Sequence, residues 1–248
     1  MGLSGPEIQA LVLSLEVAVA AVALSLPFGV ACAWLLARKQ FAGKAVVETL
    51  LNLPLVLPPV VTGYVLLVTF GRSGWLGGML YSVLGIEFVF NWKGAALASA
   101  VVAFPLMVRA MRVAFTTVDS RLEGAARTLG AGPWDCFFSV TLPLARHGLI
   151  AGCVLAFARS LGEFGATIMI AGNMPGETQT MPLYIYDQLN TGDLAHTRGI
   201  LVASVVIAMT ALAASEWFLR REQRMLGLGG AGGAGTDGGA IAGGEAAP

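Results

Sequence analysis

Residues 10–37 read ALVLSLEVAVAAVALSLPFGVACAWLLA, with Glu16 as the single charge. A helix crossing the hydrocarbon core of a bilayer needs about 20 consecutive apolar residues, so this stretch predicts a membrane span. Working outward along the chain, residues 49–70, 94–118, 143–171 and 199–219 are comparable apolar stretches. The expectation is an all-α membrane protein with five transmembrane helices, six being the alternative count.

Composition supports this reading. Of 248 residues, 56% are hydrophobic and 12% charged, with a mean hydropathy of +0.75, whereas soluble domains carry about 25% charged residues. Such a chain cannot coat a water-facing surface, so its main partner is the lipid bilayer. The length fits one membrane domain, residues 1–225. Beyond it, residues 226–248 turn into a Gly/Ala-rich tail, expected to be disordered because it has little apolar bulk to offset its ordering entropy. A net charge of zero gives no basic surface for nucleic acid. Cys32, Cys136 and Cys153 are unpatterned and read as small apolar residues. With only His147 and His196 besides, no metal site and no cofactor are expected. The N-terminus lacks the basic region of a cleavable signal, and Ala31-Cys32-Ala33 reads as helix packing.

Basic residues give an orientation. Arg38, Lys39, Lys44, Arg109, Arg112, Arg121, Arg127, Arg146, Arg220, Arg221 and Arg224 fall on one side of the predicted membrane. Arg72, Lys93 and Arg198 fall on the other, and Arg159 lies within a span. The positive-inside rule then places the N-terminus outside and the C-terminus in the cytoplasm. Trp75, Tyr81, Phe90 and Trp92 cluster in an outer loop, as an interfacial aromatic belt would. Glu16 is expected near the outer boundary, with its carboxylate reaching the interface. Pro27, Pro54, Pro58, Pro59, Pro105, Gly162 and Gly165 interrupt the spans. They read equally as kinked packing or as bent helices enclosing a path, with Pro58, Pro59 and Thr62 as candidate path residues.

One polar segment, residues 119–143, is the most informative. Ser120-Arg121-Leu122-Glu123 has the Ser-x-x-Glu form of a capping box. Leu122, Ala125, Ala126 and Leu129 then fall on one face of a short helix. Gly130-Ala131-Gly132 stops it, and Pro133 can open a second short helix carrying Trp134, Phe137 and Phe138. Two short amphipathic helices with no core of their own to cover read as a membrane-surface hairpin or as a plug for a partner's groove.

The spacing within this segment resembles the coupling motif of bacterial ABC import permeases: Glu-Ala-Ala, three residues, Gly, nine residues, Ile-x-Leu-Pro. Here Ala125-Ala126 is followed after three residues by Gly130, and after nine more by Val140-Thr141-Leu142-Pro143. Gly124 stands at the Glu position with Glu123 one step earlier, and Val140 replaces Ile. The similarity runs from about Pro6 to Glu222 and resembles the molybdate-type permeases. It is carried by the runs at 25–29, 53–61, 104–110 and 158–167, and by Pro175-Gly176-Glu177-Thr178. Sulfate-type oxyanion permeases share parts of these runs and give the alternative substrate.

The resemblance implies a type I ABC importer permease of the bacterial inner membrane, transporting molybdate or tungstate. It implies a second copy of the chain, two cytoplasmic ATPase subunits and an external molybdate-binding protein as partners. Glu123, Ala125, Ala126, Gly130, Leu142 and Pro143 would couple to the ATPase. The sequence holds no Gly-x-x-x-x-Gly-Lys-Ser/Thr phosphate loop, so the chain is not expected to be an enzyme, and ATP hydrolysis would occur on another chain.

Arg159 and Glu163, four apart in the fourth span, share a helix face and can neutralise each other. They read as a structural pair or as an outer vestibule where an arriving anion meets Arg159. An ion-driven carrier would show ionisable residues at mid-membrane and two similar halves. An intramembrane enzyme would show a catalytic set such as His-Glu-x-x-His. Neither pattern is present in the sequence.

Overall fold

A computed structural model of the protein describes residues 4–192 and 197–225, and among these the secondary structure is entirely helical. The Gly/Ala-rich tail expected at 226–248 lies outside the described residues.

Three helices are long and apolar enough to cross a membrane: α1 (Gly5–Arg38), α5 (Trp92–Thr117) and α7 (Pro133–Leu161). They form the centre of the bundle, with α5 between the other two. Met107, Met111 and Phe115 of α5 are fully buried against Ala33 and Leu36 of α1 and Ala145 and Leu149 of α7. Lipid tails are as apolar as these side chains, so packing rather than water exclusion holds such helices together. Small residues make the packing close: a Cβ added at Gly29 would sit 2.9 Å from the Met107 sulfur, and one at Gly152 would sit 3.3 Å from the Met107 carbonyl.

The predicted second span is broken. α2 (Lys44–Val56) and α3 (Pro59–Phe70) meet at a bend of 111°. Pro27 and Pro105 are tolerated inside α1 and α5, but Leu57-Pro58-Pro59 contains two successive residues that precede a proline. Each is sterically pushed out of the helical region, and Leu57 (ψ 141°) and Pro58 (ψ 133°) are both extended. α2 buries no residue. Polar links tie it to α5: the Arg109 Nε–H donates to Asn52 Oδ1 (2.9 Å), and Arg112 pairs with Glu48 (3.0 Å). The short helix α4 (Trp75–Leu84) follows α3, and the short helix α6 (Ser120–Thr128) links α5 to α7.

The predicted fourth span is longer than expected at one end and broken at the other. No separate second amphipathic helix forms, because Pro133 opens α7 itself. Residues Phe137–Thr141 make a π turn, in which the Leu142 N–H reaches the Phe137 carbonyl five residues back. Pro143 explains it: with no N–H and a ring that crowds the carbonyl four residues earlier, it disfavours the regular α register. α7 ends at Leu161, and α8 (Gly165–Ala171) begins after a three-residue break. α9 (Met181–Thr191) then leads to α10 (Thr197–Met225), which contains the predicted fifth span. Its apolar part, Gly199–Ala214, is shorter than the other spans. Glu16 is exposed on α1.

Candidate functional site

Two arrangements stand near opposite ends of α7. Thr141 belongs to one and Arg159 to the other, separated by about 27 Å of helix at 1.5 Å per residue.

The first is α6 and its connections. The Ser120–Glu123 capping box is not formed. Asp119, one residue earlier, caps the helix, its Oδ1 accepting the Arg121 N–H at 2.8 Å. Glu123 instead meets Arg38 of α1 at 2.9 Å and accepts the Thr141 hydroxyl of α7 at 2.7 Å. A capping-box bond would have only the carboxylate ionised, whereas here both partners carry charge and the Thr141 hydroxyl adds a second donor. The other end of α6 follows the spacing closely. Gly130 has φ +93°, its N–H donates to the Arg127 carbonyl, and the Ala131 N–H donates to the Ala126 carbonyl, both at 3.0 Å. This Schellman pair of bonds closes the helix through a left-handed residue, where glycine avoids a Cβ clash.

Among the described residues the apolar face of α6 has nothing to cover. Leu122 is 49% exposed and Leu129 89%, Ala125 is exposed, and Ala126 is partly covered. At the start of α7, Trp134 (75% exposed) stacks with Phe138 (59%) at 6.3 Å between centroids, while Phe137 turns inward onto Trp34 and Phe115. Leu142 packs on the core cluster of α1, α5 and α7, and Pro143 is exposed.

The second arrangement joins the two broken spans. Glu163, 3% exposed, pairs with Arg159 at 2.9 Å, and its other oxygen accepts the Ala166 N–H of α8 at 2.9 Å. The carboxylate therefore sits at the positive end of α8 and neutralises Arg159 at once, which favours the structural reading of the pair. Beside it, α3 and α8 approach at backbone distance. A Cβ on Gly63 would lie 2.6 Å from the Ala166 carbonyl oxygen, and one on Gly165 would lie 2.9 Å from Pro59 Cβ. Pro59 is thus brought to the α8 terminus, Pro58 is exposed at the bend, and the Thr62 hydroxyl is buried without a partner among the described residues.

Nothing in the sequence paired Arg38 or Thr141 with Glu123. Each lies far along the chain from it, and a basic residue at a span's end is commonplace. Gly63 likewise stood unremarked among the chain's many glycines.

The Glu163 geometry makes a prediction. Arg159→Gln leaves the Glu163 carboxylate, its side chain 2% exposed, with one backbone donor as its only partner, an arrangement that costs about 3 kcal/mol. Glu163→Ala should cost less, because it removes the buried charge and leaves an Arg159 that is 31% exposed and can reach water. Thermal unfolding of both purified variants in detergent should rank them in that order; equal midpoints would show that burial of the carboxylate does not set the cost.

Residues 25–224 match the family described as "Binding-protein-dependent transport system inner membrane component". The chain is 55% identical over 221 residues, 89% of its length and 96% of the relative's, to the molybdenum transport system permease protein ModB of Escherichia coli strain K12. It is 38% identical over 209 residues, 83% of its length and 72% of the relative's, to the sulfate transport system permease protein CysW of Synechococcus elongatus. Among solved structures, an inward-facing MetNI methionine ABC transporter shares the fold with a TM-score of 0.64 at 19% identity, covering 89% of this chain and 99% of that one.

Proposed function

The chain belongs to the binding-protein-dependent transport system inner membrane component family, and from that premise we propose that it is the permease subunit of an ATP-driven importer for molybdate or tungstate. The higher identity to a molybdenum permease than to a sulfate permease supports the oxyanion chosen. The observation that carries the coupling role is α6: an amphipathic helix whose apolar face is left uncovered, closed by Gly130 and attached to two spanning helices.

Two copies of the chain enclose the path, because one bundle of kinked helices rich in small residues encloses little space and such residues permit close approach between subunits. An external binding protein delivers the oxyanion. On the cytoplasmic face, where the basic residues concentrate, each α6 lies in a groove of one ATPase subunit. Closure of the ATPase pair displaces α6, and α1 and α7 follow. Near the far end of α7 the displacement reaches Arg159, Glu163 and the α3–α8 contact, where the broken spans change the access of the path from one side to the other.

The test is uptake in cells lacking their own molybdate importer, with the chain co-expressed with its cognate ATPase and binding protein. Molybdate should accumulate only when all three are present and the ATPase is active, tungstate should compete, and excess sulfate should not. Equal competition by sulfate would transfer the assignment to a sulfate-type importer. Uptake without the ATPase, abolished by collapsing the ion gradient, would refute ATP coupling.

A further inference from the structure

We propose that Glu123 is a positioning residue that fastens the coupling helix to the ends of two spanning helices, so that α6 drives α1 and α7 together. This rests on the proposal that α6 docks the ATPase.

The first support is how little else holds α6. It buries no residue. Asp119 and Thr128 make their side-chain hydrogen bonds within or immediately beside the helix. Among the described residues, Glu123 is the one α6 side chain with a hydrogen bond to another helix. A single carboxylate oxygen, Oε1, accepts from Arg38 Nη2 at 2.9 Å and from the Thr141 hydroxyl at 2.7 Å. Arg38 also donates to the Val118 carbonyl at 3.1 Å, at the junction of α5 and α6. Thus the last residue of α1, the junction after α5 and the π turn of α7 converge on one charge.

The second support is orientation. The Arg38 and Glu123 side chains are 18% and 15% exposed, so the carboxylate is turned toward its own chain, away from the face that bears Leu122 and Leu129. A polar cleft of about 310 Å³, lined by Trp34, Arg38, Glu123, Cys136, Phe137 and Thr141, lies at the pair. Tight apolar packing does not substitute for the polar link there.

The third is mechanical. α6 is joined to α7 through Leu129-Gly130-Ala131-Gly132, and a connection with two glycines is conformationally permissive. Displacement of α6 by a partner would be absorbed in that connection unless a second link bypasses it. The Glu123 bonds to Arg38 and Thr141 form that bypass.

The experiment uses the complete transporter, reconstituted with its ATPase and binding protein. Arg38→Ala should retain ATPase at wild-type stoichiometry and keep basal ATP hydrolysis, while oxyanion transported per ATP falls about tenfold, the scale of a typical coupling energy between sites, and Glu123→Ala should lower transport per ATP to the same degree. The exchange Arg38→Glu with Glu123→Arg should recover much of the transport, and Thr141→Ser should behave as the parent. If either alanine variant accumulates poorly, Thr141→Val, which deletes one hydroxyl from the clamp, should show the same uncoupling in milder form. Loss of ATPase binding in Glu123→Ala but not in Arg38→Ala would overturn the proposal in favour of a direct contact with the partner. Normal transport per ATP in both, or no recovery on exchange, would overturn it as well. Leu129→Asp separates the two readings. Retained ATPase there defeats the docking role itself, whereas lost ATPase beside a fully coupled Glu123→Ala defeats the clamp alone.

Discussion

Gly63→Val is expected to abolish oxyanion uptake, reducing it by more than about tenfold, while the protein still inserts into the membrane. A Cβ at this position would lie 2.6 Å from the Ala166 carbonyl oxygen, 2.7 Å from Ala166 Cα and 2.8 Å from Met169 Cβ. Two of those atoms belong to the backbone, so no rotamer change relieves the contact. Overpacking a well-filled core costs about 1–3 kcal/mol even where side chains can yield. Here α3 must separate from α8, which also disturbs the Glu163 cap and the Pro59–Gly165 contact. Gly162→Ala is the matched control, because nothing lies within 4 Å of its added Cβ. Uptake and thermal stability in detergent, measured side by side, decide the matter. Wild-type uptake by Gly63→Val would show that the broken spans do not act as a joined unit.

The second large effect is expected at the end of α6. Gly130 has φ +93° and nothing within 4 Å of an added Cβ, so Gly130→Val meets no neighbour and acts through the backbone alone. A β-branched residue in that region costs about 1–3 kcal/mol, which the chain relieves by giving up the Schellman closure and redirecting α6. Leu129→Asp is the complementary test: at 89% exposure it leaves the isolated fold unchanged but places a charge where a partner's groove would close. Removing an unpaired charge from water costs several kcal/mol, enough to weaken association about a hundredfold or more. Both variants should insert normally and fail to bring down the ATPase on purification. If both retain it and transport, α6 is only a surface hairpin.

Much of this architecture was legible because it is local. Span positions follow from runs of apolar residues, and the turn at Gly130 from a glycine placed just after an amphipathic repeat. The bend at Leu57-Pro58-Pro59 was legible as an interruption, but its 111° was not, because the packing of α3 on α8 through Gly63 and Gly165 fixes where α3 goes. The cap of α6 shows another limit. Asp119 and Ser120 are both good N-caps, and the choice between them depends on Glu123 having a better partner in Arg38, which lies 85 positions away. Pro143 announced the motif but not the π turn, since Pro27 and Pro105 sit inside regular α-helices and a proline alone does not dictate such a turn. Glu163 was recognisable as Arg159's partner by spacing; its role as the α8 cap depended on where α7 stops.

Because α6 buries no residue, its outward positions are released from the demands of the bundle. Leu122, Ala125 and Leu129 can drift with whatever surface receives them, without repacking α1, α5 or α7. On the proposed docking role the segment is an exchangeable address label: grafting the outward residues of another transporter's α6 onto this one, with Glu123 and Gly130 retained, should redirect the permease to that transporter's motor.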